Sequence, residues 1–576
     1  MKFKPHTSLH AIAGGLMLTA SAFAIAASAH ETTQPKTEFY KPGVAFTEGA
    51  EITSAGIRPP LYEGLGDMTM PVTTDSKEAQ AYFDQGLRLT WAFNHAEARR
   101  SFQKAQQLDP NCAMCFWGEA FALGPNINDA MRDEAVVRAH DAIQRALALK
   151  DEVTAKERAL IEALDRRYGA NLMASRPPLD KAWAEAMGKV AKAYPDDANI
   201  LVFHADALMN LQPWDLWQAD GVTPKGNAAE IVATLEHALE IDPAHPAAAH
   251  LYIHAVEASA KPERAEAVAD RLRGAMPAAG HLTHMPAHIY ARVGRHHDSM
   301  QVNREAIAAD EAFLAQAGET ASPLYRYGYY PHNLHYLLVS AQMAGVREDV
   351  ISSAEKLAAV TSDAVSKELA WVQAIKTAPY SAHAQFSTPD TILAQANPGD
   401  RFPFVKGFWH YARGVAFAFN GELEAAAGEV EAIELLIAEA DMTGLEEQGL
   451  PARDVLGIAG HVAEARIAQA RRDYGAAEHH LNEAIRLQDG ISYMEPPYWY
   501  YPVRQTLGAV LLQQGRAEEA VATFDKALDE MPRNGWALWG LVQAQIAAGE
   551  RNVSDLEATL AEAWLGNKAL LALDRL

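Results

Sequence analysis

The sequence predicts an all-α fold: a right-handed solenoid of paired helices, entered by an extended N-terminal arm. Three observations carry this. From Asp75 onward, small and apolar residues recur in a 34-residue frame. Prolines close the frame at Pro110, Pro243, Pro277 and Pro532, with Pro243 and Pro277 34 residues apart. Before Asp75 the frame is absent, and Pro, Gly and Thr dominate. A sequence period of roughly 20–50 residues marks a stacked repeat, and proline ends a helix because it lacks the N–H and clashes with the preceding turn.

The chain begins with Lys2 and Lys4, followed by the apolar stretch Ile12 to Ala27 and the small-x-small triplet Ala27-Ser28-Ala29. This is the pattern of a signal peptide over 1–29, with the mature chain starting at His30. A membrane anchor is the competing reading, disfavoured by a short, alanine-rich apolar run that ends in a cleavage signal. No later stretch is apolar enough to span a bilayer. The chain therefore reads as exported and periplasmic, with no membrane span once mature. Residues 30–74 read as the extended arm, either disordered or laid along the helices that follow.

The 576 residues carry a formal net charge of −24, and loss of Lys2 and Lys4 makes the mature chain more acidic still. Phosphates and anionic lipids repel such a surface, and no basic run offsets it, so nucleic acid is excluded as a partner.

Asp75-Ser76-Lys77-Glu78 is a helix start. Counting Ala79 as position 1, Tyr82 falls at 4, Gly86 at 8, Leu89 at 11, Ala98 at 20, Phe102 at 24, Ala105 at 27 and Pro110 at 32. Near the C-terminus Gly508, Ala520, Phe524, Ala527 and Pro532 fall at 8, 20, 24, 27 and 32. Small residues at 8 and 20 let two helices touch, and the aromatic at 24 fills the gap. The pattern resembles the tetratricopeptide repeat, a helix–turn–helix unit. It covers most of 75–576: an N-terminal array over 75–360, a poor frame over 361–403 expected to be an irregular connection, and a C-terminal array over 404–576. The resemblance implies a concave groove lined by positions 2, 5, 9, 12 and 13 of each first helix.

Ten of the 22 histidines lie between His245 and His335. On the repeat frame, His250, His254 and Glu257 take positions 5, 9 and 12 of one unit. His281, His284 and His288 take 2, 5 and 9 of the next, His332 and His335 take 2 and 5 of a third, and Asp206 takes 9 of an earlier one. Histidine is the commonest metal ligand, and two at i, i+4 on a helix can share an ion. Seven histidines on equivalent positions of neighbouring units predict a transition-metal site, with Asp206 and Glu257 as further candidate ligands and one ion bridging the His250/His254 and His284/His288 helices. Copper is favoured and zinc is second, since imidazole suits both and the compartment and nearby Met285 and Met343 favour copper. The competing reading is a polar lining for a peptide. His95, His296, His297 and His245 fall at turns or a helix start, and His204 faces its partner helix.

Cys112 and Cys115 are the only cysteines and open a repeat helix. They form either a local disulfide or a redox or soft-metal pair. Aromatic insertions around Trp214 and Trp217, over 322–331 with Tyr329 and Tyr330, and over 493–502 either roof the groove or plug it, with Tyr290 beside them as a further lining residue. The runs CAMCFWG with GPNIN, HMPAHIY, YYPHNLH and EPPYWYYP resemble a set of exported bacterial tetratricopeptide proteins, which implies the fold and no reaction. The function expected is an exported binding protein whose groove holds a metal and a protein, peptide or small ligand. The alternative is a metal-dependent enzyme, a copper oxidoreductase or a zinc hydrolase, built in the same groove.

Overall fold

The computed structural model describes residues 59–576 apart from 170 and 173; the expected signal peptide and arm residues 30–58 lie outside them. Among the described residues there is no β-strand, only helices, turns and two isolated bridges.

The first half runs as antiparallel pairs: α1 (Lys77–Trp91) with α2 (His95–Leu108), α3 (Ala113–Ala122) with α4 (Asp133–Ala148), α5 (Ala155–Tyr168) with α6 (Arg176–Ala193), and α7 (Ala198–Met209) with α8 (Ala228–Ile241). Then come α9 (Pro246–Glu257) with α10 (Glu266–Leu272), and α11 (Gly280–His284) and α12 (Pro286–Arg292) with α13 (His296–Ala317). The pair α14 (Tyr330–Ala344) and α15 (Arg347–Val360) follows. Next are α16 (Asp363–Glu368), α17 (Ala370–Phe386) and α18 (Pro389–Leu393). The second half pairs α19 (Pro403–Asn420) with α20 (Leu423–Glu439) and, after α21 (Thr443–Glu447), α22 (Ala452–Ala470) with α23 (Tyr474–Asp489). It ends with α24 (Val503–Gln513), α25 (Ala517–Glu530), α26 (Gly535–Ala547) and α27 (Ser554–Ala563).

The repeat frame acts through close packing. Phe102 is fully buried between Gly86 and Gly118; a Cβ on either glycine would stand 2.7 or 2.3 Å from its ring. Phe524 repeats this between Gly508 and Gly540, again at 2.7 and 2.3 Å. Truncating such a ring to alanine typically costs about 3–5 kcal/mol. The helix start read at Asp75-Ser76 is there: the Ser76 hydroxyl accepts from Ala79 N at 3.1 Å.

Two readings change. The stretch 361–403 is not irregular throughout, because α17 packs between α15 and α19 as a repeat helix would. The insertion of α16 and a proline inside α17, Pro379, throw its sequence off the 34-residue count. The two halves also do not part at residue 360. One apolar core runs from Leu65 to Tyr336 and the other from Met300 to Leu576, so they interleave across α13 and α14. The second half then closes on this seam. Trp536 Nε1 donates to Gln342 O at 2.8 Å, and Leu565 N donates to Ala344 O at 2.9 Å.

The described part of the arm lies along the helices. Leu65 and Met70 are buried, Met70 N donates to Asp84 Oδ1 at 3.0 Å, and Ala278 N donates to Gly64 O at 2.9 Å. No helix among the described residues is long and apolar enough to cross a membrane.

Candidate metal centre

Helix α9 presents His250, His254 and Glu257 on one face, as spacings of four and three dictate. Helices α11 and α12 form one rod broken at Pro286, which has no N–H to give. The turns bridge the break through Met285 N to His281 O (3.1 Å) and His288 N to Met285 O (3.2 Å), so His281, His284 and His288 stay on one side. Helix α14, entered through a π-helical turn at Tyr325–Tyr329, adds His332 and His335.

The fold sorts six of the seven predicted histidines into two triads. His250, His254 and His281 offer nitrogens within 4.8 Å of one another, and so do His284, His288 and His332. His250 Nε2 and His281 Nε2 are 3.1 Å apart. His284 Nε2 lies 2.8 Å from His288 Nε2 and 3.1 Å from His332 Nε2. An ion about 2.0–2.1 Å from each imidazole nitrogen holds those nitrogens roughly 3–3.5 Å apart, so these spacings need little adjustment. His250, His284 and His288 are fully buried, His254 and His281 are 2–3 % exposed, and the His332 side chain is 12 % exposed. The site is thus an interior one rather than an open groove wall.

Three histidines have their tautomers fixed from behind. Glu257, fully buried, holds His254 Nδ1 on Oε1 and His288 Nδ1 on Oε2, both at 2.7 Å. An ionised carboxylate only accepts, so both Nδ1 atoms carry the proton and both Nε2 atoms face inward. Asn303 Nδ2 donates to Ser299 O at 2.7 Å, which turns its Oδ1 to accept from His284 Nδ1, also at 2.7 Å. Such a partner on the far nitrogen is what orients a ligating histidine. His254 Nε2 is left buried with no partner.

The electrostatics agree. Burial, reinforced by mutual repulsion, holds His250, His281, His284 and His332 well below the ordinary histidine value, hence neutral with free lone pairs. Burial lowers His254 as well, against the pull of Glu257. His288 is the exception: burial opposes its charge, but Glu257 and Glu495 outweigh it and raise it to about 9. Burial pushes Glu495 up to about 8, while the neighbouring histidines hold Glu257 below the carboxylate range.

The other predicted residues fall elsewhere. His335, 8 % exposed, belongs to neither triad and lines a cavity beside His332. Asp206 is buried apart from the histidines, and burial raises it to about 7 against the nearby Arg167 charge. Of the expected aromatic lining, Trp214 meets His254 edge-on at 5.0 Å and Tyr329 meets His281 at 4.9 Å. Trp217 donates to Ala255 O, Tyr290 donates to Asp270 Oδ1, and Tyr330 donates to Glu311 Oε1. Glu257 stands behind the imidazoles.

Several site residues escaped the sequence reading. Phe93, at φ 54° in the turn after α1, packs on His250 at 4.6 Å and stacks on His281 at 5.1 Å. Asn303 gave no signal. Tyr336, four residues after His332, shared a detectable face and packs 4.9 Å from both His284 and His288. The third aromatic run does reach the site: Tyr493 OH donates to Glu257 Oε2 at 2.9 Å. Beside it, Glu495 Oε2 lies 3.3 Å from His332 Nε2 and 3.4 Å from His288 Nδ1. A further group, His461, Glu464 and His480, sits half-exposed on α22 and α23, with both Nδ1 atoms 3.2 and 2.7 Å from Glu464 Oε2.

Cys112 and Cys115 are joined in a buried disulfide at the start of α3, and Cys112 Sγ accepts from Cys115 N at 3.2 Å.

Residues 511–552 match the tetratricopeptide repeat. No curated protein matches the chain. Solved structures that resemble it include a human IFIT1 dimer with m7Gppp-AAAA, at 13 % identity over 76 % of this chain and 90 % of that one, TM-score 0.32. The APC/C hetero-tetramer Cut9–Hcn1 resembles it at 14 % identity over 83 % and 78 %, TM-score 0.30. Yeast Tom70 does so at 11 % identity over 85 % and 92 %, TM-score 0.25. Likeness at these scores carries no argument about the site. The 511–552 match falls on the helices that clasp Phe524, where the repeat frame is sharpest, so this segment is a tetratricopeptide repeat, and the paired helices before it follow the same helical-repeat architecture.

Proposed function

We propose that this is an exported metalloprotein that uses a helical-repeat scaffold to hold a transition metal, copper first and zinc second, in an all-imidazole centre. The observation that carries the reading is the convergence of buried Nε2 atoms from four helical segments, with three far nitrogens oriented by Glu257 and Asn303. Five of the six imidazoles are held neutral, and buried neutral imidazoles facing one another gain little unless a metal sits between them. His288, raised to about 9, would give up its Nε2 proton to an ion. Imidazole binds copper, zinc, iron and nickel, and copper heads the affinity order for nitrogen ligands. The closed Cys112–Cys115 disulfide supports an oxidising compartment. Because the histidines are interior, a peptide or protein partner would use other faces of the repeat array.

A catalytic role is the second reading, favoured by one observation. The Glu495 carboxyl, raised by burial, stands at the edge of the His284/His288/His332 triad next to a cavity.

The test is elemental analysis of untagged protein and its variants. His254→Ala and His288→Ala are expected to lose most of the metal, whereas His95→Ala and His297→Ala keep it. A chelator is expected to lower the melting temperature of the wild type, because ligand at a hundredfold excess over Kd stabilises by about 2.7 kcal/mol. Full metal content in the His254 and His288 variants, or a wild type that carries no metal and takes none up, refutes the reading.

A further inference from the structure

We infer that the centre is binuclear: each triad holds its own ion, and the second triad's ion takes a small uncharged ligand from the cavity beside it. This rests on the metal reading above and adds the number of ions and the place of exchange.

The partition is in the geometry. The Nε2 separations of 2.8–3.1 Å all lie within a triad. Between the triads the shared polar group is Glu257, which grips the Nδ1 side of one histidine from each. One ion cannot use six imidazoles, since such metals commonly take four ligands, often three from the protein and one exchangeable. A single ion on His254, Glu257 and His288 is the competing geometry. It would have to displace the protons from both Nδ1 atoms, and it would leave His250, His281, His284 and His332 facing one another without an ion. The His254 and His288 rings, one from each triad, are 5.3 Å apart, so two ions would be neighbours. Paired-metal sites place their ions about 3.5–4 Å apart.

The triads differ in access. The first is sealed by Phe93, Trp214 and Tyr329. The second meets the cavity through His332 and Glu495. The cavity's other walls include Trp371, Ile375, Pro496 and Tyr498, with no lysine or arginine among its lining residues. His335, Gln342 and Ser381 line the same space, at most 8 % exposed, and their Nδ1, Oε1 and Oγ atoms have no hydrogen-bond partner. Beyond the ion itself the lining offers no positive group to hold an anion, and its one acidic side chain, Glu495, disfavours one, so the space suits a small neutral ligand.

The test loads untagged protein with copper, counts it, then reduces it and titrates carbon monoxide, a neutral probe of cuprous ions read by infrared spectroscopy. Two coppers and one carbon monoxide per chain are expected. His332→Ala is expected to keep one copper and lose the carbon monoxide band, and His281→Ala to keep one copper and the band. No uptake by the wild type refutes the metal reading itself. One copper per chain leaves that reading standing and overturns the binuclear one. Two coppers with none or two carbon monoxide molecules overturn the assignment of the open ion. Should either variant fail to fold, the oxidised wild type decides: neighbouring cupric ions give a spin count well below the copper count, and a full spin count overturns the pairing.

Discussion

Replacing Glu257 with glutamine separates orientation from ligation. Two hydrogen bonds converge on Glu257 Oε2, from His288 Nδ1 at 2.7 Å and Tyr493 OH at 2.9 Å, and one reaches Oε1, from His254 Nδ1 at 2.7 Å. Glutamine keeps one accepting oxygen and turns the other end into a donor. The oxygen will settle where two donors meet it, at the Oε2 end, leaving the amide NH2 against the His254 N–H. The first triad therefore loses the orientation of one ligand, and the second keeps its own. Losing such a partner costs about 10–100-fold in metal affinity, or roughly 1.4–2.7 kcal/mol. Competition titration against a chromophoric chelator resolves the equivalents. Glu257→Gln is expected to weaken one equivalent by that factor and leave the other near wild type. Complete loss of an equivalent at any metal concentration would make Glu257 a ligand, and two unchanged equivalents would remove its orienting role; either result refutes the reasoning.

Asn303→Leu is expected to weaken only the second triad's ion, by about 10–100-fold, in the same titration; weakening of the first ion instead counts against the assignment. Asp206 gives a pH prediction: its folded value of about 7 lies above its ordinary 3.8, so the folded chain holds a proton that the unfolded chain releases. Its contribution is full below about pH 4 and falls as pH rises to about 7, by roughly 4 kcal/mol at most. Asp206→Asn is expected to be more stable than wild type at pH 8 and to lack this slope in urea denaturation, whereas an unchanged slope contradicts it. Gly540→Ala places a methyl 2.3 Å from the Phe524 ring and is expected to cost about 1–3 kcal/mol or more in denaturant unfolding; a neutral result removes the close-packing argument. In protein from its native compartment, alkylation without reductant is expected to label neither Cys112 nor Cys115, and full labelling of both counts against the disulfide.

The repeat was legible because its determinants are local and recur: Gly86 and Gly508 are required by the ring of a phenylalanine sixteen residues on, and a period exposes that. The histidines were legible for the same reason, since equivalent repeat positions put His250, His254, His281, His284, His288 and His332 on facing helices. Their division into two groups was not. It depends on the break at Pro286 and on the angle at which α14 arrives, which no spacing encodes. Asn303 was invisible because a polar residue on an outer helix looks solvated until packing buries it. Glu495 sits in a loop without period, and only the closure of the second half on the seam brings it to His332. The stretch 361–403 misled the reading because α16 and Pro379 displace the frame while leaving helix α17 intact.

The most direct measurement is X-ray absorption at the metal edge of untagged, copper-loaded protein. The arrangement of Nε2 atoms predicts a first shell of nitrogen at about 2.0 Å, the multiple-scattering pattern of several imidazoles, and a metal–metal contribution from the neighbouring ion. A first shell containing sulfur, a shell dominated by carboxylate oxygen, or an imidazole count no higher than two would contradict the account.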